Sequence, residues 1–456
     1  EIDTGDWSSD VCSSDLAGQA GLAPARRVAL GVTSERRRRD ARARDLLRAY
    51  AAMGALDERD RALASRLVLG SVAAEGELDR VIDSHLRRGA KLEPRVRDAL
   101  RLAVFEVLYL DTPDSVAASQ GVELVRTVAP RAAGLANAVL RRVAGEDVAR
   151  LVVSREALAR GRFSVYDMAH VGGLPIWLCE AALGALGREG AASYAEDALA
   201  PALPTVAANR CRHSEAEAVS LLREAGCDPA SGVLPGSILL GRMARLAPSG
   251  LVDAVDVLPC DYAAQEVALL ARPRPGSRVL EVGQGRGTKT VLLESVACAA
   301  GGPCEVTAVE VDAAKSAAAA RRMEKAGLAE HVRCVADDGR TLDALGDDLF
   351  DLVFVDAPCT GTGTLSRHPE IAWSLAESSA AGLSRLQLEM LTAASAHARR
   401  GGRLVYSTCS ILAEENERLV EAFLSSPSGA RYELVGTHRT AIPDADRHFC
   451  ATFRRR

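Results

Sequence analysis

Apolar residues recur at helical spacing from Ser34 to about Val143: Leu63, Leu67, Val68 and Val72 share one face, as do Leu100, Val104, Val107 and Leu108 further on. That period predicts an all-helical domain. Asp111-Thr112-Pro113-Asp114 breaks the pattern with a proline between two Asx residues, and a further helix starts at Ser115 and ends near Arg142. Between about residues 146 and 255 the pattern is mixed, with a helix over Ile176 to Leu186, an extended run over Thr205 to Asn209 and a helix over Glu215 to Ala225. A connector with a small α+β subdomain accounts for it. From Val257 onward short apolar runs alternate with amphipathic stretches, and SRVLEVG, CEVTAVEV, VRCVADD, FDLVFVDAP and GRLVYSTC read as five strands. Such βα alternation builds a doubly wound sheet whose ligands sit at the carboxyl ends of its strands.

The division expected is therefore 17–145 helical, 146–255 connector and subdomain, and 256–456 α/β. Residues 1–16 (EIDTGDWSSDVCSSDL) stand apart: they have no starting Met and no periodicity, resemble a translated cloning leader, and are expected to be foreign. A chain of 456 residues is also too long for one ordinary core.

Composition narrows the class. With 48% hydrophobic and 26% charged residues the chain should fold, and no uncharged apolar run of about 18 residues occurs to span a membrane. No secretory signal is legible, and the eleven cysteines are scattered without CxxC pairs or histidines at zinc spacing. A cytoplasmic protein with reduced thiols and no metal is expected. The net charge of −5 hides a local sign: residues 1–16 carry five acids and no base, whereas residues 17–145 carry 23 basic against 16 acidic side chains. A basic helical domain suits a phosphate-bearing partner, although a run such as Arg36 to Arg39 is also an ordinary solvated helix face.

Candidate chemistry lies at the ends of the α/β strands. The first opens into Gly283-Gln284-Gly285-Arg286-Gly287-Thr288-Lys289, where glycines let a backbone pass close to a ligand. The loop lacks P-loop spacing and is compatible with a dinucleotide, a phosphate or S-adenosylmethionine. Glu310, ending the second strand, can accept from a ribose diol. Asp338, after the third, can accept from an adenine amino group or simply close an Asx turn. The fourth strand delivers Asp356-Ala-Pro-Cys359-Thr-Gly-Thr-Gly363 and the fifth Tyr406-Ser-Thr-Cys409-Ser410, which places two cysteines at the ligand face.

Two resemblances follow from these residues. The stretches ALRLAVFEVLYLD, VAASQGVELVR and LANAVLRR resemble a NusB-type RNA-binding domain. DAPCTGTG with RHPEIAW, then GGRLVYSTCS and EEN, resembles the Sun/RsmB group of RNA cytosine-5 methyltransferases. The likeness implies a class I, Rossmann-like methyltransferase domain that uses S-adenosylmethionine on 16S rRNA. It also implies roles: Cys409 as the nucleophile that adds to cytosine C6, Cys359 in release of the adduct, and Asp356 hydrogen-bonded to the base, with Lys289 nearby as a partner for negative charge. Residues 283–289, Glu310, Asp338 and Asp356 are then expected to hold the cofactor. Two departures stand out. The loop has Gly283-Gln-Gly-Arg-Gly-Thr-Lys289 where the group usually has Cys-Ala-Ala-Pro-Gly-Gly-Lys, and His448-Phe449-Cys450 stands where it tends to have Gly-Phe-Phe, so loop geometry and the last strand are the places to look. The rival readings are the same chemistry on tRNA, a non-catalytic NusB-like RNA-binding factor, and a dinucleotide-dependent oxidoreductase.

Overall fold

The computed structural model describes residues 21–39 and 41–456; the leader assigned to residues 1–16 lies outside them. The chain separates into two compact units between Pro175 and Ile176.

The first unit is helical throughout. Its elements are α1 (Pro24–Arg39), α2 (Ala43–Ala49), α3 (Glu58–Ala73), α4 (Glu75–Ser84), α5 (Pro94–Tyr109), α6 (Asp114–Val128), α7 (Ala133–Arg142), α8 (Val148–Ala159) and α9 (Val165–Gly172). Local chemistry sets several ends: the Asp57 side chain accepts the Asp60 amide ahead of α3, Pro94 opens α5, and Ser164 and Asp167 form a reciprocal capping box on α9. The central helix is α5, buried along Leu100, Leu102, Val104 and Phe105. Gly70 of α3 lies flat against it, and a Cβ there would stand 1.8 Å from Cζ of Phe105. The Arg36 to Arg39 run is largely neutralised: Arg36 bonds Glu75 at 3.1 Å, Arg37 pairs with Asp98, and Arg38 and Arg39 fold back on Glu35. By contrast Arg131, Arg141 and Arg142, on and beside α7, are exposed and have no acidic partner among the described residues.

The second unit opens with α10 (Ile176–Asp197), which is broken at Gly187, where φ is +68°. A helix ending at Leu186 was expected from the periodicity, and the break falls one residue later. A small antiparallel sheet follows, built from β1 (Thr205–Ala208), β2 (Pro229–Ser231), β3 (Ser237–Leu240) and β4 (Val257–Pro259) in the order β2-β3-β1-β4. Helix α11 (Glu215–Glu224) contributes Ala218 and Leu222 to its apolar core.

The remainder alternates: α12 (Tyr262–Ala271), β5 (Arg278–Val282), α13 (Thr288–Ala299), β6 (Glu305–Glu310), α14 (Ala313–Ala326), β7 (Val332–Ala336), β8 (Phe350–Asp356), α15 (Ile371–Ser374), α16 (Ser379–Ala396), β9 (Ala398–Thr408), α17 (Glu417–Leu424), β10 (Tyr432–Arg439) and β11 (Phe449–Arg455). The seven strands lie in the order β10-β11-β9-β8-β5-β6-β7, parallel from β9 to β7 and antiparallel at β11 and β10. All five strands read from the sequence are present. The near-continuous apolar runs of β5 and β8 follow from burial on both faces, with Val279 and Phe354 in one core and Leu280, Val353 and Val355 in the other. Because β5 lies between β6 and β8, the chain reverses its winding there. The carboxyl end of β5 is thus the switch point at which such sheets bind ligands. Despite its unusual start, β11 pairs with β9 from Phe449 opposite Thr408 to Arg454 opposite Arg403. His448 is buried just before it, and its carbonyl accepts the Thr440 amide at 3.0 Å.

Among the described residues no single helix is long and apolar enough to cross a membrane.

Candidate active site

The loop after β5 turns sharply on three glycines with positive φ: Gly283 (+92°), Gly285 (+56°) and Gly287 (+75°). At Gly283 the requirement is double, because a Cβ would also stand 2.2 Å from the Asp356 carbonyl oxygen. The amides of Gly283 and Gln284 both reach the Val309 carbonyl, at 2.9 and 3.0 Å, which folds the loop onto the end of β6. There Glu310 accepts the Gly285 amide at 2.8 Å through one oxygen and the Asp312 amide at 3.1 Å through the other.

The residues expected to hold a cofactor do not all present side chains to one place. Gln284 is buried, its amide donating to Cys334 Sγ at 3.1 Å, so only its backbone is available to the loop. Arg286 is exposed, its carbonyl accepting from Arg322, which also donates to the Thr288 hydroxyl at 3.0 Å. Asp338 accepts the Arg340 amide at 2.9 Å and its guanidinium at 2.9 to 3.0 Å, the Asx-turn geometry that was the alternative for this residue. What remains at the sheet edge is a helix start with no side-chain cap at Gly287, beside the Glu310 carboxylate. The leading amides of α13 lack intrahelical acceptors, and a carboxylate stands at the neighbouring strand end. That donor and acceptor set fits a ligand carrying both a diol and an anionic group.

Asp356, Lys289, Cys359 and Cys409 do converge. Lys289 in the first turn of α13 donates to both Asp356 oxygens at 2.7 Å. Burial pulls the ammonium down, yet the facing Asp356 carboxylate outweighs it and holds Lys289 above the ordinary lysine range. The sulfurs of Cys359 and Cys409 lie 3.2 Å apart. Strand register produces this meeting: Asp356 of β8 sits opposite Ser407 of β9, so the chain just beyond each strand end delivers its cysteine to the same spot. The Cys359 thiol is held high by its bond with Cys409 and by burial. Cys409 is lowered by that same bond and, against burial, by the Lys289 charge. Of the two, Cys409 is the better thiolate.

Residues not singled out in the sequence hold this arrangement. Glu415 is fully buried and accepts the Thr360 amide at 2.9 Å, the Thr360 hydroxyl at 2.5 Å and the Gln387 amide at 2.9 Å. Asn416 accepts the Thr408 hydroxyl at 2.6 Å and donates to the Ser410 carbonyl at 2.8 Å. Together they pin the loop after β8 to the end of β9. Gly363 passes beneath: its amide donates to the Cys409 carbonyl at 2.9 Å, and a Cβ would stand 2.0 Å from the Arg447 carbonyl oxygen. The EEN run carried part of the family resemblance, but the partners of Glu415 within it lie 55 and 28 residues away. Arg367, from the RHPE run, pairs with the buried Asp446, and His448 is kept neutral by burial and by the nearby charges of Lys289 and Arg367.

The sheet order and the glycine turn at its switch point define a Rossmann-like methyltransferase domain. Residues 268–449 match the 16S rRNA methyltransferase RsmB/F family and residues 24–145 the NusB family. Ribosomal RNA small subunit methyltransferase B of Thermus thermophilus is 35% identical over 378 residues, which is 83% of this chain and 82% of that protein. Its counterpart in Sodalis glossinidius is 32% identical over 84% of this chain and 85% of its own length. A methyltransferase homologue from Pyrococcus horikoshii, solved by crystallography, shares the fold at TM-score 0.55 and 20% identity, over 64% of this chain and 99% of that one. This chain belongs to the RsmB/F family of 16S rRNA methyltransferases, with a NusB domain ahead of the methyltransferase domain.

Proposed function

We propose that this protein methylates C5 of a cytosine in 16S rRNA in the cytoplasm, with Cys409 as a covalent nucleophile, Cys359 serving release and Asp356 holding the base. The observation that carries the reading is the 3.2 Å approach of the two sulfurs beside the Lys289–Asp356 pair. Residues 17–145 dock the RNA, and residues 146–255 connect them to the catalytic domain at 256–456.

Cytosine C5 is a weak nucleophile until C6 is attacked. The Cys409 thiolate forms a bond to C6, and the C5–C6 π pair moves through C4 toward N3, where Asp356, acting as an acid, donates a hydrogen bond that stabilises the charge. Lys289 keeps Asp356 in place by holding both of its oxygens. S-adenosylmethionine, when bound by the 283–289 loop and Glu310 with the Asp356 backbone beside it, would supply the electrophilic methyl group for C5. Loss of the C5 proton to solvent then restores the C5–C6 double bond and expels Cys409 as thiolate, the release that Cys359 serves. The base must be unstacked, since C6 is shielded inside a helix.

The test is incubation of the full chain with methyl-labelled S-adenosylmethionine and unmodified small-subunit rRNA, followed by nucleoside analysis. Labelled 5-methylcytidine at one position is expected. Label in tRNA instead would move the substrate, and tight RNA binding without label would favour a non-catalytic factor. The two cysteines should behave oppositely: Cys409→Ala loses both adduct and methylation, whereas Cys359→Ala accumulates a covalent protein–RNA complex on a denaturing gel. Full activity in Cys409→Ala would exclude the mechanism.

A further inference from the structure

Away from the catalytic residues, a second cluster of thiols has no role in this chemistry. Cys211 lies in the turn after β1 of the small sheet, and Glu294 and Cys298 lie on α13. Glu294 and Cys298 are four residues apart, so the helix puts them on one face, one turn above the other. The fold brings Cys211 against that face: its sulfur, that of Cys298 and a Glu294 carboxylate oxygen all lie within 4.8 Å of one another. Donors around a tetrahedral zinc ion with ordinary bond lengths stand about 3.5 to 3.8 Å apart, so small rotations close the set.

The carboxylate is what makes this more than two neighbouring thiols. Glu294 has no exposure; one oxygen accepts the Cys304 amide at 2.8 Å, and the other, Oε1, is buried without a hydrogen-bond partner among the described residues. A buried carboxylate oxygen left unpaired is costly, and a cation is the partner that would relieve it. Both cysteines are half-buried, which leaves one side open to a water as fourth ligand.

We propose that Cys211, Glu294 and Cys298 form a binding site for one thiophilic divalent cation of the zinc class. Two thiolates with one carboxylate suit such an ion and not the all-oxygen preferences of magnesium or calcium. Binding replaces two S–H bonds with two S–metal bonds, the protons pass to solvent, and nothing is oxidised or reduced. The ion ties the small sheet to α13 near its carboxyl end, about 14 Å along the helix from Lys289, and so acts on the joint between subdomain and sheet, not on the reacting base. The chain's cysteine spacing alone pointed away from metal because one ligand lies more than eighty positions from the other two.

The experiment is a Co2+ titration of the reduced, metal-stripped full chain, read by thiolate-to-metal charge-transfer absorption in the near ultraviolet, with Zn2+ as competitor. One equivalent should saturate the band and Zn2+ should erase it. Cys211→Ser and Cys298→Ser should each abolish the band, Glu294→Gln should weaken Co2+ binding about tenfold or more, and a Cys359→Ser, Cys409→Ser double variant should keep the band intact. Thermal melts separate ligand loss from misfolding: the variants should melt with the stripped parent but lack its rise in Tm on adding Zn2+. No band in the parent, a band that survives both Cys211→Ser and Cys298→Ser, or one lost in the Cys359, Cys409 double variant would overturn the assignment.

Discussion

Glu281, in the middle of β5, has no exposure; one oxygen accepts the Thr290 hydroxyl at 2.6 Å and the other has no partner among the described residues. Burial, and after it the Asp356 charge, pushes its pKa up to about 8. The folded chain therefore keeps a proton that the unfolded chain releases above about pH 4.5, and stability from this residue is complete below that value and lost as pH rises through 8. Glu281→Gln should flatten the fall between about pH 5 and 8, worth up to about 1.4 kcal/mol per pH unit, in denaturant melts against pH. At Gly283 the constraint is steric: Gly283→Ala meets the Asp356 carbonyl and must adopt an unfavourable φ. A cost of about 1–3 kcal/mol and at least tenfold weaker S-adenosylmethionine binding by calorimetry are expected. The cysteines and Asp356 were legible in the sequence because long motifs surround them. Glu415 was only one letter of a motif, since what defines it is three donors from distant segments, and Gln284 looked like a loop ligand because nothing local reveals that its side chain turns inward to Cys334.

At the scale of elements, the inner strands β5, β6, β8 and β9 could be read because burial on both faces makes their composition nearly continuous, whereas β7 lies at the sheet edge and is only partly buried. Strand β10 alternates weakly and leaves Val435 exposed, so its pairing with β11 depends on the sheet and not on its own pattern. The helical unit was readable from its period, but the identity of its tightest joint was not. Gly70 is a mid-helix glycine, ordinarily a weak point, yet the ring of Phe105 occupies the space a side chain would need. Gly70→Ala should therefore destabilise by about 1–3 kcal/mol through overpacking despite its better helix propensity. Chemical denaturation of the full chain, followed by helix circular dichroism, would detect it, and a neutral or stabilising result would mean that Phe105 turns aside freely.

For the whole molecule, charge distribution was only half legible. The four-arginine run of α1 advertised a basic surface, whereas its side chains mostly meet Glu35, Glu75 and Asp98. Arg141 and Arg142 at the end of α7 are among the exposed cations, and Arg141→Ala with Arg142→Ala should lower RNA affinity and reduce the slope of log affinity against log salt by about 0.7–0.9 for each phosphate that is no longer neutralised. Unchanged salt dependence would place RNA docking elsewhere. The position of β11 bears on time as well as space. It is the last strand in the chain, yet it lies inside the sheet, bonded to β9 on one side and β10 on the other. During synthesis, while domains emerge and fold from the amino end, the helical unit is complete long before β9 has its neighbour, and the strand that carries Cys409 keeps a bare edge until residues 449–455 arrive. On the proposed function, a nascent chain can thus hold RNA before it can modify it. That interval, with an unpaired edge beside Cys409, is also when the protein is most exposed to mispairing with another copy.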